Sequence, residues 1–349
     1  MLYTHRIAMD EMHYGDTARL ALGTRTPGST AIGTEQYARS FAPSLGRGGM
    51  LRGAAGTQLT ARIPIYEGVG PAMTLIAFET LYSADGLSLE NSIHQEPISG
   101  GAVSTTFDAA GVAVGTQTWI VSSTSTGLIG TEVTTGAEFL VPTRDSQPEG
   151  EVRLGGLPDG TLVVGWSQRT TPADSWTARA AVIRRDASVA TVATVFEAPL
   201  IGRDEIDMLV HGDSVYLARF ERDPMSLRDG RLRIARLNSN LERVEADRWI
   251  AGWGGLAPSG VALVEWQGAA WMVFHTLDPR FGATPVLYIA PLAGDACGYS
   301  VNQPAMTLPA SAAGARDLVA AIDGQDMWIA VAYLDGPGTA TLLQAQLCN

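Results

Sequence analysis

Six short turns recur along the chain about 53 residues apart: Ala55-Gly56, Ala110-Gly111, Asp159-Gly160, Gly212-Asp213, Gln267-Gly268 and Asp323-Gly324. Each follows a short, mostly apolar run and precedes another, so the repeating unit contains a β-hairpin. A fixed period of this length, with several strands per unit and no helical periodicity, predicts an all-β chain folded as a β-propeller of four-stranded antiparallel blades. The clearest unit reads EVRLGG (151–156), the turn Leu157-Pro158-Asp159-Gly160, TLVVGWSQ (161–168), TARAAVIRRD (177–186) and SVATVATVFEA (188–198). The third unit offers AVSTTF, VAVGTQ and WIVSSTS as its strands. The whole chain then forms one domain, with units at 1–46, 47–98, 99–148, 149–200, 201–254, 255–310 and 311–349. Seven blades is the preferred count, with the strands missing from the first and last units lying upstream of residue 1. Six is the alternative, in which LYTHRIAMD completes the final blade.

Composition narrows the function. Charged residues make up 17% of the chain beside 39 Gly and 18 Pro, a balance that suits many strands joined by tight turns. The net charge of −12 opposes phosphate backbones and anionic membrane surfaces, and no basic stripe runs against it, so nucleic acid is excluded as a partner. No apolar stretch approaches the ~20 residues of a membrane span, which argues against membrane insertion. The N-terminal MLYTHRIAMDEMHY lacks a basic segment followed by an apolar core, so it does not read as a signal peptide; an exported form would have lost its signal upstream. All 24 basic residues are Arg, which reflects an Arg-favouring coding bias rather than selection for guanidinium chemistry.

The two cysteines, Cys297 and Cys348, stand outside any CxxC pair, so zinc ligation is not expected. Each follows the third strand of its unit, and adjacent units could bring them together as a disulfide. Such a bridge would contribute about 4 kcal/mol in the chain-entropy model and favours an oxidising, extracellular or periplasmic compartment. Two buried free thiols are the alternative.

Leu157-Pro158-Asp159-Gly160 through Trp166, and more loosely Ala320 to Gly324 through Trp328, pair an L-x-D-G turn with a following apolar strand ending in Trp. In this the sequence resembles the broad class of secreted bacterial propeller repeat proteins, a resemblance that covers about half of the chain and is shared by adhesins, lectin-like modules and enzymes alike. The Asp box of sialidase propellers is not met, because Asp108, Gly111, Thr118 and Trp119 have the wrong spacing.

In a propeller the mouth of the central channel is lined by residues near one end of the innermost strands. Counting seven back from each turn glycine gives Gly49, Ser104, Arg153, Glu205, Val261 and Asp317, with Asp204, Asp207 and Arg316 beside them. The channel-mouth candidates are therefore Arg153, Glu205, Asp207, Arg316 and Asp317. The carboxylates could serve as acid and base or as cation ligands, and the arginines could hold an anionic group. Solvated rim residues in weak ion pairs would look the same in sequence. Trp249 and Trp253 offer an aromatic platform for a sugar ring, against the alternative of packing between blades. Asp159-Gly160 and Asp323-Gly324 read as hairpin turns with φ > 0 at both central positions; a structural Ca2+ there is the one cofactor left open. His5, His13, His94, His211 and His275 lack ligand spacing, and neither a G-x-S-x-G elbow nor a P-loop is present.

Without a catalytic motif, the first expectation is a non-catalytic exported propeller that presents a loop face to a protein or glycan. The first alternative is a carbohydrate-active enzyme, a glycoside hydrolase or lyase, with carboxylates on the inner strands. The second is a structural subunit of a larger assembly.

Overall fold

The computed structural model describes strands from Leu2 to Leu347, and side chains at scattered positions of 110–143, at 152–169, 176–197, 206–220, 232–248, 260–276, 284–292 and 305–308, and at four positions of 318–329. Two compact units emerge, Met1–Val152 and Arg153–Asn349. Among the described residues every regular element is a strand, and no helix is long and apolar enough to cross a membrane.

The first unit holds three antiparallel sheets. β1 (Leu2–Ile7), β2 (Thr17–Leu22) and β3 (Gln36–Phe41) pair in that order. β4 (Gly49–Gly53), β5 (Gly56–Glu67), β6 (Thr74–Tyr82) and β7 (Leu89–Glu90) follow, with β8 (Glu96–Pro97) also on β6. β9 (Ala109–Val114), β10 (Gln117–Thr124), β11 (Gly127–Glu132) and β12 (Glu138–Pro142) complete the unit.

The second unit repeats one plan, with each sheet paired in chain order. Its sheets are β13 (Val152–Gly156), β14 (Leu162–Gln168), β15 (Thr177–Ile183) and β16 (Val189–Phe196); then β17 (Gly202–His211), β18 (Ser214–Arg222), β19 (Gly230–Leu237) and β20 (Arg248–Ala251). β21 (Val261–Trp266), β22 (Ala269–Asp278), β23 (Thr284–Pro291) and β24 (Met306–Thr307) form the next, and β25 (Asp317–Asp323), β26 (Asp326–Leu334) and β27 (Ala340–Leu347) the last.

Face-to-face stacking of these sheets explains their apolar runs. Alternate residues of β21 enter different cores: Val261 and Leu263 join Tyr216, Phe220 and Ile234 of the preceding sheet, while Ala262 and Val264 join Leu318, Met327 and Ile329 of the following one. A strand covered on both faces loses the apolar-polar alternation of a half-solvated one. β14 accordingly is buried at all seven positions. The outermost β12 keeps the alternation, with Phe139 and Val141 in and Glu138, Leu140 and Pro142 out. Each fully buried Val or Leu at these stacking faces contributes about 1.5–3 kcal/mol. Close approach requires glycine at Gly155, where a Cβ would run into the Val210 side chain of the next sheet.

Turn chemistry departs from the sequence expectation in two places. Ala110 and Gly111 lie inside β9, paired with Val121 and Ile120. The reversal comes instead at Gly115-Thr116, between the paired Val114 and Gln117, with Gly115 at φ 61 as the first central position of a type II′ turn requires. β9 thus takes up much of the segment expected to be a second strand, and WIVSSTS belongs to the second strand rather than the third. The Asp159-Gly160 loop is also not a two-residue turn. Gly160 N–H donates to the Leu157 carbonyl at 2.9 Å, and only Gly160 of the pair has positive φ, at 88°. Pro158 favours the first central position of a type I turn, and the left-handed Gly160 then forms the bulge of a three-residue hairpin. Gln267 and Gly268, at φ 52 and 70 between the paired Trp266 and Ala269, do form a two-residue turn of type I′.

Candidate functional site

Antiparallel order puts the starts of β13, β17, β21 and β25, the first strands of their sheets, at the same end of the second unit as the connectors between second and third strands. Those connectors span 169–176, 223–229 and 279–283, and the links between sheets span 197–201, 252–260 and 308–316. At the other end β17 and β18 are joined by only two residues, as are β21 and β22, while the longer 238–247 and 292–305 link third to fourth strands there.

Buried polar side chains gather at the same end. Ser167, Gln168, Arg219, His275 and Thr276 all lie in second strands near their C-terminal ends, and all are buried. Trp166 Nε1 donates to Gln168 Oε1 at 2.8 Å, and Arg219 donates to the Trp176 carbonyl at 2.8 Å while stacking over Phe196. A buried polar group left unpaired costs about 1–3 kcal/mol, so the bonds of Trp166, Gln168 and Arg219 help to stabilise this end.

Asp207, in β17, links the first strands of neighbouring sheets. Its Oδ1 accepts from Arg153 Nε at 2.7 Å and its Oδ2 from the Leu263 N–H at 2.6 Å, with the Arg153 and Asp207 side chains only 16% and 15% exposed. The partners lie 54 residues before and 56 after, so one carboxylate joins equivalent places on the first strands of three consecutive sheets. Each oxygen thus accepts one short bond from a flanking strand.

Counting back from the turn glycines had aligned Arg153 with Glu205 and Val261. The structure aligns it with Asp207 and Leu263, two residues further on. The cause is loop length: β13 is followed by a loop whose glycine lies four residues past the strand, whereas Gly212 directly follows β17. β17 is also irregular. Gly202 pairs with Glu221 and Ile206 with Arg219, so four steps on β17 face two on β18, and Arg203, Asp204 and Glu205 occupy a bulge. Bulges re-aim side chains and are frequent beside active sites.

Glu205 and Asp317 are placed as strand positions, the latter as the first residue of β25, and their side chains lie outside the described residues. β21 packs against both β17 and β25. Trp249 stands in β20 opposite Arg233; its side chain, together with Arg316, Trp253, Cys297 and Cys348, lies outside the described residues. Asp159 caps the Thr161 N–H at 2.8 Å, and among the described residues no group of three His, Cys, Asp or Glu could hold a metal ion. Sequence reasoning passed over the tie from Asp207 to Leu263, because a backbone amide leaves no mark in residue type. It also passed over Arg219, whose only signal was a charge inside the apolar run SVYLARFE.

No protein-family model and no curated protein matches the chain. Among solved structures, the α-L-arabinanase of Penicillium chrysogenum complexed with arabinobiose matches over 87% of this chain and 93% of its own, with TM-score 0.53 and 12% identity. A Trypanosoma rangeli sialidase mutant displaying trans-sialidase activity matches over 97% of this chain and 58% of its own, with TM-score 0.48 and 10% identity. The Bombyx mori GH32 β-fructofuranosidase matches over 86% of this chain, with TM-score 0.41 and 12% identity, and this chain spans 60% of that protein's length. The structural neighbours are glycoside hydrolases with propeller folds, and the arabinanase match is a likeness of fold. It runs against the expectation of a non-catalytic propeller presenting a loop face: a protein that shares this fold over most of both lengths is itself an arabinanase.

Proposed function

We propose that the chain is a carbohydrate-active enzyme, a glycoside hydrolase, with its reaction centre at the end of the second unit where its first strands begin. The observation that supports this most directly is the fold shared with the arabinanase. Fold alone leaves the chemistry open, so the reading also draws on the carboxylates at that end. Glycosidic cleavage uses one carboxylic acid to protonate the leaving oxygen and a second carboxylate to attack or to activate water. Glu205 in the β17 bulge and Asp317 at the start of β25 take these roles. The substrate is a glycan. A role in glycan breakdown suits an extracytoplasmic location, where a Cys297–Cys348 bridge would persist; thiol labelling of the denatured protein should then find no free cysteine.

The test is chromatographic product analysis after incubation with arabinan, arabinoxylan, a fructan and a sialylated oligosaccharide. The expected outcome is release of mono- or oligosaccharide from one of these classes. A correctly folded protein that cleaves none of them contradicts the reading.

A further inference from the structure

We infer that Asp207 is a positioning residue of the proposed reaction centre: by tying Arg153 of β13 and the Leu263 amide of β21 to one carboxylate, it holds the β17 bulge that carries Glu205 in place. The inference rests on the glycoside hydrolase reading and deepens it.

The argument starts from what the β-ladders leave undone. Each ladder runs outward within its own sheet, from β13 to β16, from β17 to β20 and from β21 to β24. Register between neighbouring first strands is therefore set by side chains. Apolar packing at this boundary, such as Met208 and Val210 against Gly155, fixes spacing but is non-directional. The Asp207 carboxylate supplies direction, with one short bond to each flanking strand.

Its place along β17 matters. The bulge between Gly202 and Ile206 carries two more residues than its partner segment on β18, so its conformation is less constrained by the ladder than that of the strand beyond it. Ile206 and Met208 are buried in the core on either side of Asp207. Glu205 directly precedes that anchored triplet. A shift of β17 relative to β13 or β21 would carry the bulge with it, and a displacement of about 1 Å at a reacting group can cost roughly 100-fold in rate.

The experiment compares Asp207→Ala, Asp207→Asn and Arg153→Lys with wild type on whichever glycan the enzyme cleaves, reading kcat, KM and hydrogen exchange of the Leu263 amide. Asp247→Ala is the control, because it breaks the Arg233 and Arg243 pairs at 2.6 and 2.8 Å beside the outer strands and tests mere loss of an ion pair. The expected result is a kcat roughly 10- to 100-fold lower for Asp207→Ala with KM within about twofold. Leu263 exchange should be faster in that variant, and Asp207→Asn, whose amide oxygen still accepts, should recover part of the rate. Asp247→Ala should lower Tm and leave kcat within about twofold. Folded Asp207 variants that lose Tm and keep wild-type kcat overturn the positioning role alone. A wild-type protein inactive on every glycan overturns the hydrolase reading, and the positioning role with it.

Discussion

Gly160 and Ala187 occupy the same place in two loops of one sheet, the first at φ 88 and the second at φ 64. In Leu157–Thr161 and Arg184–Ser188 the fourth residue's N–H donates to the first carbonyl at 2.9 Å, and the third residue, an aspartate, accepts from the fifth N–H at 2.8 and 3.0 Å. Asn238–Glu242 repeats the turn with Leu241 at φ 64, its Asn238 side chain doing the capping.

Ala187 is the wrong residue for its conformation. A side chain in the left-handed region costs about 1–2 kcal/mol, and the extra unfolded-state entropy of glycine returns part of that. Ala187→Gly should therefore raise stability by about 0.5–1 kcal/mol, seen as a higher denaturation midpoint with unchanged m.

Leu241 should respond in the opposite sense. Its side chain is 7% exposed and belongs to the core between the β13–β16 and β17–β20 sheets. Leu241→Gly relieves the backbone and loses the packing, and removal of a buried leucine costs about 2–5 kcal/mol. A net loss of roughly 1–4 kcal/mol in urea denaturation is expected once the relieved backbone strain is subtracted.

At Gly155 the two sheets meet with no room for a methyl group. Gly155→Ala forces Val210 and β17 outward and should cost about 1–3 kcal/mol, the range for overpacking. Calorimetric Tm reads the effect directly.

Acid should weaken the two aspartate-capped loops. The Thr161 N–H holds the Asp159 carboxyl below its usual value, and the Ser188 hydroxyl followed by its N–H does the same for Asp186. A depressed folded-state pKa gives stability that is present above the unfolded value, about 4, and is lost as pH falls through the folded one. The stability gap between wild type and Asp159→Ala should be steady from pH 7 to 5, shrink below about pH 4 and close further down.

Much of the strand pattern was legible because the residues themselves carry it. TLVVGWSQ became β14 and TARAAVIRRD began β15 at Thr177, since continuous apolar and β-branched runs bounded by polar turns have few other folds. Ala110-Gly111 misled because an Ala-Gly pair fits a strand as well as a turn, and only the pairing with Ile120 and Val121 decides. The site ring slipped by two residues at Asp207 because turn glycines sit at different distances from their strands in two- and three-residue loops. Loop type depends on Pro158 and on φ, which a count of residues ignores. The tie between Asp207 and Leu263 was beyond reach, because its second partner is backbone.

The most direct test of glycoside hydrolysis is reducing-end release from the cleaved glycan by wild type, Glu205→Gln and Asp317→Asn, at equal concentration and with matched circular dichroism. The expected result is turnover by wild type and a loss of at least about 100-fold in kcat for each variant, in keeping with removal of an acid or base group. Wild-type turnover that survives both substitutions would contradict the assignment of these carboxylates, and absence of turnover in wild type would contradict the hydrolase itself.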